Sequence, residues 1–205
     1  MVKEPDKVLN GEEPPEGSLG RSNGDDGSII TVLATIFLFS SIIGILLSLF
    51  PSYATDLGIL PFEIGVITFA LSAARTITFY QANRMEAYIK KSGMLIAGSL
   101  ALGLASLIAF NSNSTLMFLV CFLIFGFGAG ISYAASITLV LRWRKSSRGY
   151  AAGSFESLIG VGYFLGPLIG GFLSEFAGNM PYIYSFLLSL TVLLIQLKHR
   201  RRFRD

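Results

Sequence analysis

The sequence predicts an all-α membrane protein of six transmembrane helices, with both ends on the cytoplasmic side. Three observations carry that fold class. Six apolar runs each approach the roughly 20 residues that span a bilayer. Only 14% of the 205 residues are charged, against 52% hydrophobic, whereas a soluble domain carries about 25% charged residues. The basic residues also fall in alternate gaps between the runs, as the positive-inside rule requires.

The chain begins with an arm, residues 1–28, holding three basic and seven acidic side chains among Gly and Pro. It lacks the apolar core of a signal peptide and reads as a disordered acidic arm. Helix one follows over 29–50, with Ser28 as N-cap and Pro51 closing it. Helix two covers 61–80, with Pro61 suited to its first turn. Helix three covers 92–110, the long helix four 116–141, helix five 150–176 and helix six 181–197. Together 29–197 form one membrane domain, and 198–205 form a basic tail.

The arm, the 81–91 loop, the 142–149 loop and the tail hold three, three, four and five Lys/Arg. The gaps at 51–60, 111–115 and 177–180 hold none, and only Arg75 lies inside a span. This partition places the basic gaps, and both termini, in the cytoplasm. Trp143, beside Arg142 and Arg144, reads as an interfacial anchor. The basic tail follows an apolar helix directly, so its partner is the anionic leaflet and not nucleic acid.

Catalytic chemistry has no foothold. There is no HExxH and no metal-ligating cluster, and the single His199 sits in the tail. The lone Cys121 lies in an apolar run and reads as a small buried side chain. The glycine-rich stretches lie inside apolar helices, so they are not phosphate loops. No enzyme activity, cofactor or metal is expected.

Helix five is the most informative segment. Gly162, Gly166 and Gly170 recur every four residues on one face, which lets another helix approach closely. Pro167 removes one backbone hydrogen bond and favours a bend. Two readings stand: ordinary small-residue packing, or a flexible helix at a moving interface.

The stretch 162–171, G-Y-F-L-G-P-L-I-G-G, resembles the fifth-helix motif of the major facilitator superfamily of secondary transporters, a glycine run ending in GPxxGG that includes Gly171. After helix two, Ala82-Asn83-Arg84 with Lys90, Lys91 and Gly93 resembles a degraded form of that family's G-x-x-x-D-R-x-G-R-R loop. Asn83 stands where the acid belongs, Phe79 and Glu86 stand where glycines belong, and Tyr80-Gln81 replaces smaller or apolar choices. Helix four, with Gly126, Gly128, Gly130 and then Leu141-Arg142-Trp143, is similar to the family's fourth or tenth helix. The resemblance covers 29–197. It implies a six-helix half bundle built from two inverted three-helix repeats, most like the carboxyl-terminal half of a twelve-helix transporter. The acidic arm then resembles the linker between halves, and the chain reads as a free-standing, split or truncated half.

Ionisable residues in a span are functional candidates by default. Arg75 lies nine residues before Arg84, and Glu156 eight after Arg148. At ~1.5 Å per residue both sit roughly 12–14 Å inward, so their depths match. They are read either as a charge pair locking two helices or, for Glu156, as a proton-coupling carboxylate. In the family the second and fifth helices of opposite halves face each other, so Arg75 is also placed to meet Glu156 of a second copy. Asp56, Glu63 and Glu175 lie near the opposite surface and read as solvated.

By the same resemblance helices one and four line the solute path. Ser41 and Ser48 share a face of helix one with Gly44. Ser132 and Ser136 share a face of helix four, with Tyr133 beside it. These are lining candidates, although helix packing alone selects such residues too. The expected function is transport of a small solute across the cell membrane by a half transporter acting as a homodimer or with a separate complementary half. The alternative is a non-transporting remnant, assembly or scaffold subunit.

Overall fold

The computed structural model describes residues 26–86, 91–143 and 148–199. Apolar length and local stop signals divide them into seven helices: α1 Asp26–Ser48, α2 Phe50–Asp56, α3 Pro61–Glu86, α4 Lys91–Phe110, α5 Thr115–Trp143, α6 Arg148–Ser174 and α7 Met180–His199. All but α2 are long and apolar enough to cross a membrane, so the chain is a multi-pass membrane protein. The arm up to residue 25, loop residues 87–90 and 144–147, and tail residues 200–205 lie outside the described residues, as do the side chains of Asn83 and Trp143.

Most element ends fall within two residues of expectation, and three differences change the reading. α1 already includes Asp26, so Ser28 lies inside the helix and is not its N-cap. Pro51 does not simply end a helix. The chain turns at Leu49, and Pro51 occupies the first turn of the short α2, where its missing N–H has no intrahelical partner to lose. α3 continues six residues past the expected end, to Glu86, so the Ala82-Asn83-Arg84 motif is the last turn of a helix and not a loop. Arg84 there is exposed, with its charge at the favourable carboxyl end of the helix dipole.

α2 ends in a Schellman motif. Gly58 takes φ 78°, while Ile59 N–H reaches the Ala54 carbonyl at 3.0 Å and Gly58 N–H the Thr55 carbonyl at 2.9 Å. A left-handed residue at this place favours glycine. α3 then starts with a capping interaction. Glu63 accepts from Leu60 N–H at 3.1 Å and from the Thr115 hydroxyl at 3.3 Å, so this carboxylate is engaged and not merely solvated.

α1 is the central helix, with 72% of its spanning window buried, and it contacts α4, α5, α6 and α7. The principal helix pairs are α3 with α5, α1 with α6, α4 with α5, and α4 with α7. Exchanging α1 with α5, α3 with α6 and α4 with α7 maps α3–α5 onto α6–α1 and α4–α7 onto itself, while α4–α5 maps onto the weaker α7–α1 contact. The bundle is thus two three-helix units in the same sequence order, and the odd number of spans in each makes them run in opposite directions across the membrane, a symmetry that residue identities alone are too diffuse to display.

The two strongest pairs share one construction. On α6, a Cβ at Gly162 would overlap Ser40 of α1, one at Gly166 would lie 2.7 Å from Ser41 Cα, and one at Gly170 would lie 2.9 Å from a Leu49 methyl. Gly44 of α1 answers with room for the Pro167 ring, whose Cδ would be 3.0 Å away. On α5, Gly130 would meet the Arg75 carbonyl at 2.8 Å, and Gly126 the Arg75 nitrogen at 3.0 Å. In lipid, where apolar burial gives helices little reason to associate, such backbone approach supplies the contact energy. α6 remains helical through Pro167. Gly153, Gly160 and Gly171 face open space instead.

The three gaps without Lys or Arg meet at one end of the bundle. Tyr53 of α2 lies against Gly178, Phe118 and Tyr182. Phe50 packs on Phe122 with ring centroids 4.3 Å apart and the planes tilted by 50°, and Asn179 donates to the Phe110 carbonyl at 3.2 Å.

Gly166→Ala is expected to lower stability by about 1–3 kcal/mol, because the added methyl forces α1 and α6 apart. Gly160→Ala should be neutral or mildly stabilising, since glycine is the poorer helix former. Thermal unfolding of the two variants in the same detergent checks this; equal melting temperatures would refute the packing role.

Candidate functional site

The close passage of α5 over α3 at Gly126 and Gly130 sets the position of the next turn of α5. Tyr133, three residues beyond Gly130, comes to lie over the Arg75 side chain, with the guanidinium carbon 5.6 Å from the ring centroid. That separation is within cation–π range. The Arg75 Nη1 also donates to the Tyr163 hydroxyl of α6 at 3.3 Å. On the other side, the Tyr133 hydroxyl donates to Glu156 Oε1 at 3.0 Å.

Arg75 and Glu156 therefore belong to one cluster at one depth, joined through Tyr133 and not by a direct ion pair. Arg75 is half-buried, whereas Glu156 is exposed. The cluster draws on α3, α5 and α6, and the Tyr133 ring extends it to α1. Phe39, Phe79 and Phe155 surround that ring at centroid distances of 5.9, 5.3 and 5.2 Å, all edge-on. Such edge contacts hold the ring without any polar partner. Beside it opens a cavity of about 250 Å³ lined by Ser72, Arg75, Thr76, Phe79, Gly130 and Tyr133.

The other expected lining residues lie elsewhere. Ser41, Ser132 and Ser136 are fully buried. The backbone of Ser41 lies against Gly162 and Gly166 of α6, and the Ser132 hydroxyl lies against Gly98 of α4. Their hydroxyls have no hydrogen-bond partner among the described residues. Ser48, at the end of α1, is exposed. Of the five candidates, Tyr133 is the one that borders the cavity beside Arg75. Among the glycine-run residues, Gly162, Gly166, Pro167 and Gly170 pack against α1, and Gly171 does not.

One polar group of consequence is absent from the motif reading. Gln196, in the apolar run Leu193–Leu197 of α7, is 2% exposed. Its Nε2 lies 2.9 Å from the Thr35 hydroxyl of α1, 2.8 Å from the Ser99 hydroxyl and 3.3 Å from the Leu95 carbonyl of α4. A lone amide in such a run is the available signal, because a polar group in lipid must find partners inside the protein.

Residues 32–199 match the family described as Major Facilitator Superfamily. An uncharacterised MFS-type transporter of Methanocaldococcus jannaschii is 25% identical over 170 residues, which is 82% of this chain and 44% of that protein. Multidrug resistance protein 2 of Bacillus subtilis is 26% identical over 167 residues, 78% of this chain and 40% of that protein. The quinolone resistance protein NorA of Staphylococcus aureus is 21% identical over 170 residues, 82% of this chain and 44% of that protein. The chain spans less than half the length of these relatives.

Tyr133→Phe keeps the aromatic packing and removes the hydrogen bond to Glu156; the expected loss is about 0.5–1.5 kcal/mol. Tyr133→Ala should cost about 3 kcal/mol or more. Adding Glu156→Ala to Tyr133→Phe should cost little further, because the shared bond is already gone. Denaturation of the three variants in one detergent reads all of these effects.

Proposed function

The chain belongs to the Major Facilitator Superfamily, and on that premise we propose that it works as one six-helix half of a secondary transporter for a small solute, together with a second six-helix unit. Alternating access needs two bundles rocking about a shared midplane site. The observation that carries this reading is the Arg75–Tyr133–Glu156–Tyr163 cluster within the spanning segments. Charged groups at that depth are costly in lipid and belong beside a protein-lined, hydrated path.

The outer faces of α3 and α6 support a second unit. They are the least buried spans, with 17% and 22% of their windows covered. Phe69 on α3 and Phe164 on α6 are 73% and 68% exposed. A partner bundle on these faces would enclose the cluster between the two units. The relatives named for multidrug and quinolone resistance support a small organic solute. The distribution of Lys and Arg supports a cell-membrane protein with both termini cytoplasmic. Within the cycle, Glu156 is the proton-coupling carboxylate, and Tyr133 joins its protonation to the seat of Arg75.

Two measurements test the reading. In proteoliposomes carrying a pH gradient, Glu156→Gln should abolish proton-driven movement of a fluorescent quinolone while protein yield is retained; coupling that survives the substitution assigns Glu156 a structural role only. Phe164→Cys in a Cys121→Ala background should crosslink to a second six-helix unit in membranes. A strictly monomeric species that transports would overturn the paired arrangement, and a chain inactive under every pairing would mark a non-transporting subunit.

A further inference from the structure

We infer that the cavity beside Arg75 receives the carboxylate of a small organic anion with a flat apolar body. The inference rests on the transporter reading of the same site and names its solute class. An arginine guanidinium is permanently charged and offers five N–H donors in a rigid fork. The structure engages one of those of Arg75, with the Tyr163 hydroxyl at 3.3 Å, and covers one face with the Tyr133 ring. No carboxylate pairs with Arg75 among the described residues. Glu156 is turned to the Tyr133 hydroxyl and is not among the cavity's lining residues. α5 contributes no acid at all, and the acids of α3 stand at its two ends, Glu63 and Glu86.

The cavity wall is otherwise aromatic and hydroxylic. Phe79 and Tyr133 meet edge-on at 5.3 Å, and Ser72 and Thr76 face the same space across Gly130. A fork of free N–H donors beside two rings matches a planar carboxylate carried on an aromatic or aliphatic body. A cation entering here meets a guanidinium with no carboxylate in direct contact among the described residues, which is a repulsive element against that class. The volume, about 250 Å³, lies just below the usual range for drug-sized ligands, so it holds the charged head and first ring of a solute.

Three probes of one shape separate the possibilities: benzoate, benzamide and benzylamine, with the full chain in nanodiscs and binding read by equilibrium dialysis. Benzoate should bind saturably and at least tenfold more tightly than benzylamine, with benzamide between them. Arg75→Gln should weaken benzoate by roughly 10- to 100-fold, the scale of a lost hydrogen bond to a charged group; Arg75→Lys should weaken it less. If Arg75→Gln does not fold, the ranking of the three probes on the unaltered chain decides the matter. Benzylamine binding as tightly as benzoate, benzoate binding that survives Arg75→Gln, or no saturable benzoate binding overturns the inference. Uptake of the probes into proteoliposomes separates the two readings. Anion-selective binding without transport of any probe under every pairing leaves the ligand class standing and removes the transporter reading, whereas transport of benzylamine without anion preference does the reverse.

Discussion

The architecture depends on helix backbones touching where side chains are missing. α6 lies on α1 through Gly162, Gly166 and Gly170, and α5 lies on α3 through Gly126 and Gly130. In water, burial of large apolar side chains would drive such association. In lipid the tails are as apolar as leucine, so shape and close contact carry the energy instead. The glycines on α5 also have a positional effect. They bring the helix against the backbone of Arg75 itself, and this sets Tyr133 above the guanidinium one turn later. Packing and polar chemistry are thus parts of one arrangement.

That arrangement explains how an arginine and a glutamate are kept inside an apolar slab without being fused into an ion pair. A direct pair in a low-dielectric interior is hard to open once made. Here the Tyr133 ring and its hydroxyl stand between the charges. The guanidinium is steadied by Tyr133 and Tyr163 and the carboxylate by Tyr133 alone. Each charge is held, yet each keeps capacity for another partner. The proposed transport cycle, in which a site binds and releases, would draw on this intermediate degree of satisfaction.

Much of the fold is legible in the sequence because the bilayer imposes a length and a charge rule on every span. Six apolar runs, and Lys and Arg confined to alternate gaps, leave few other arrangements. The short α2 is less visible, because Pro51 reads equally as the end of one helix or the first turn of the next. The site is legible in part. Arg75 and Glu156 stand out as charges in apolar runs, and their matching depth follows from helical rise alone. Tyr133 as the link between them does not, since it depends on how α5 crosses α3. Ser41, Ser132 and Ser136 illustrate the converse problem: a small hydroxylated side chain suits a wet cavity and a tight helix contact equally well, and residue type alone does not separate the two. Gln196 shows that an amide carries the weight usually given to charge once water is absent.

The amide of Gln196 has a mechanical consequence. It binds α7 to α1 and α4 at one level of the bundle, and Ser189 adds a second bond from α7 to α4. With no solvent to exchange against, these bonds act as rivets, and the three staves they join resist shear. Among the described residues the glycine track between α1 and α6 carries no side-chain bond of that kind, and α3 is tied to α5 by the Glu63–Thr115 bond near one end, so both tracks are smoother than the riveted contacts. Strain applied to the bundle would accordingly be taken up by those two outer staves while the riveted trio keeps its shape, like a hull with two movable planks.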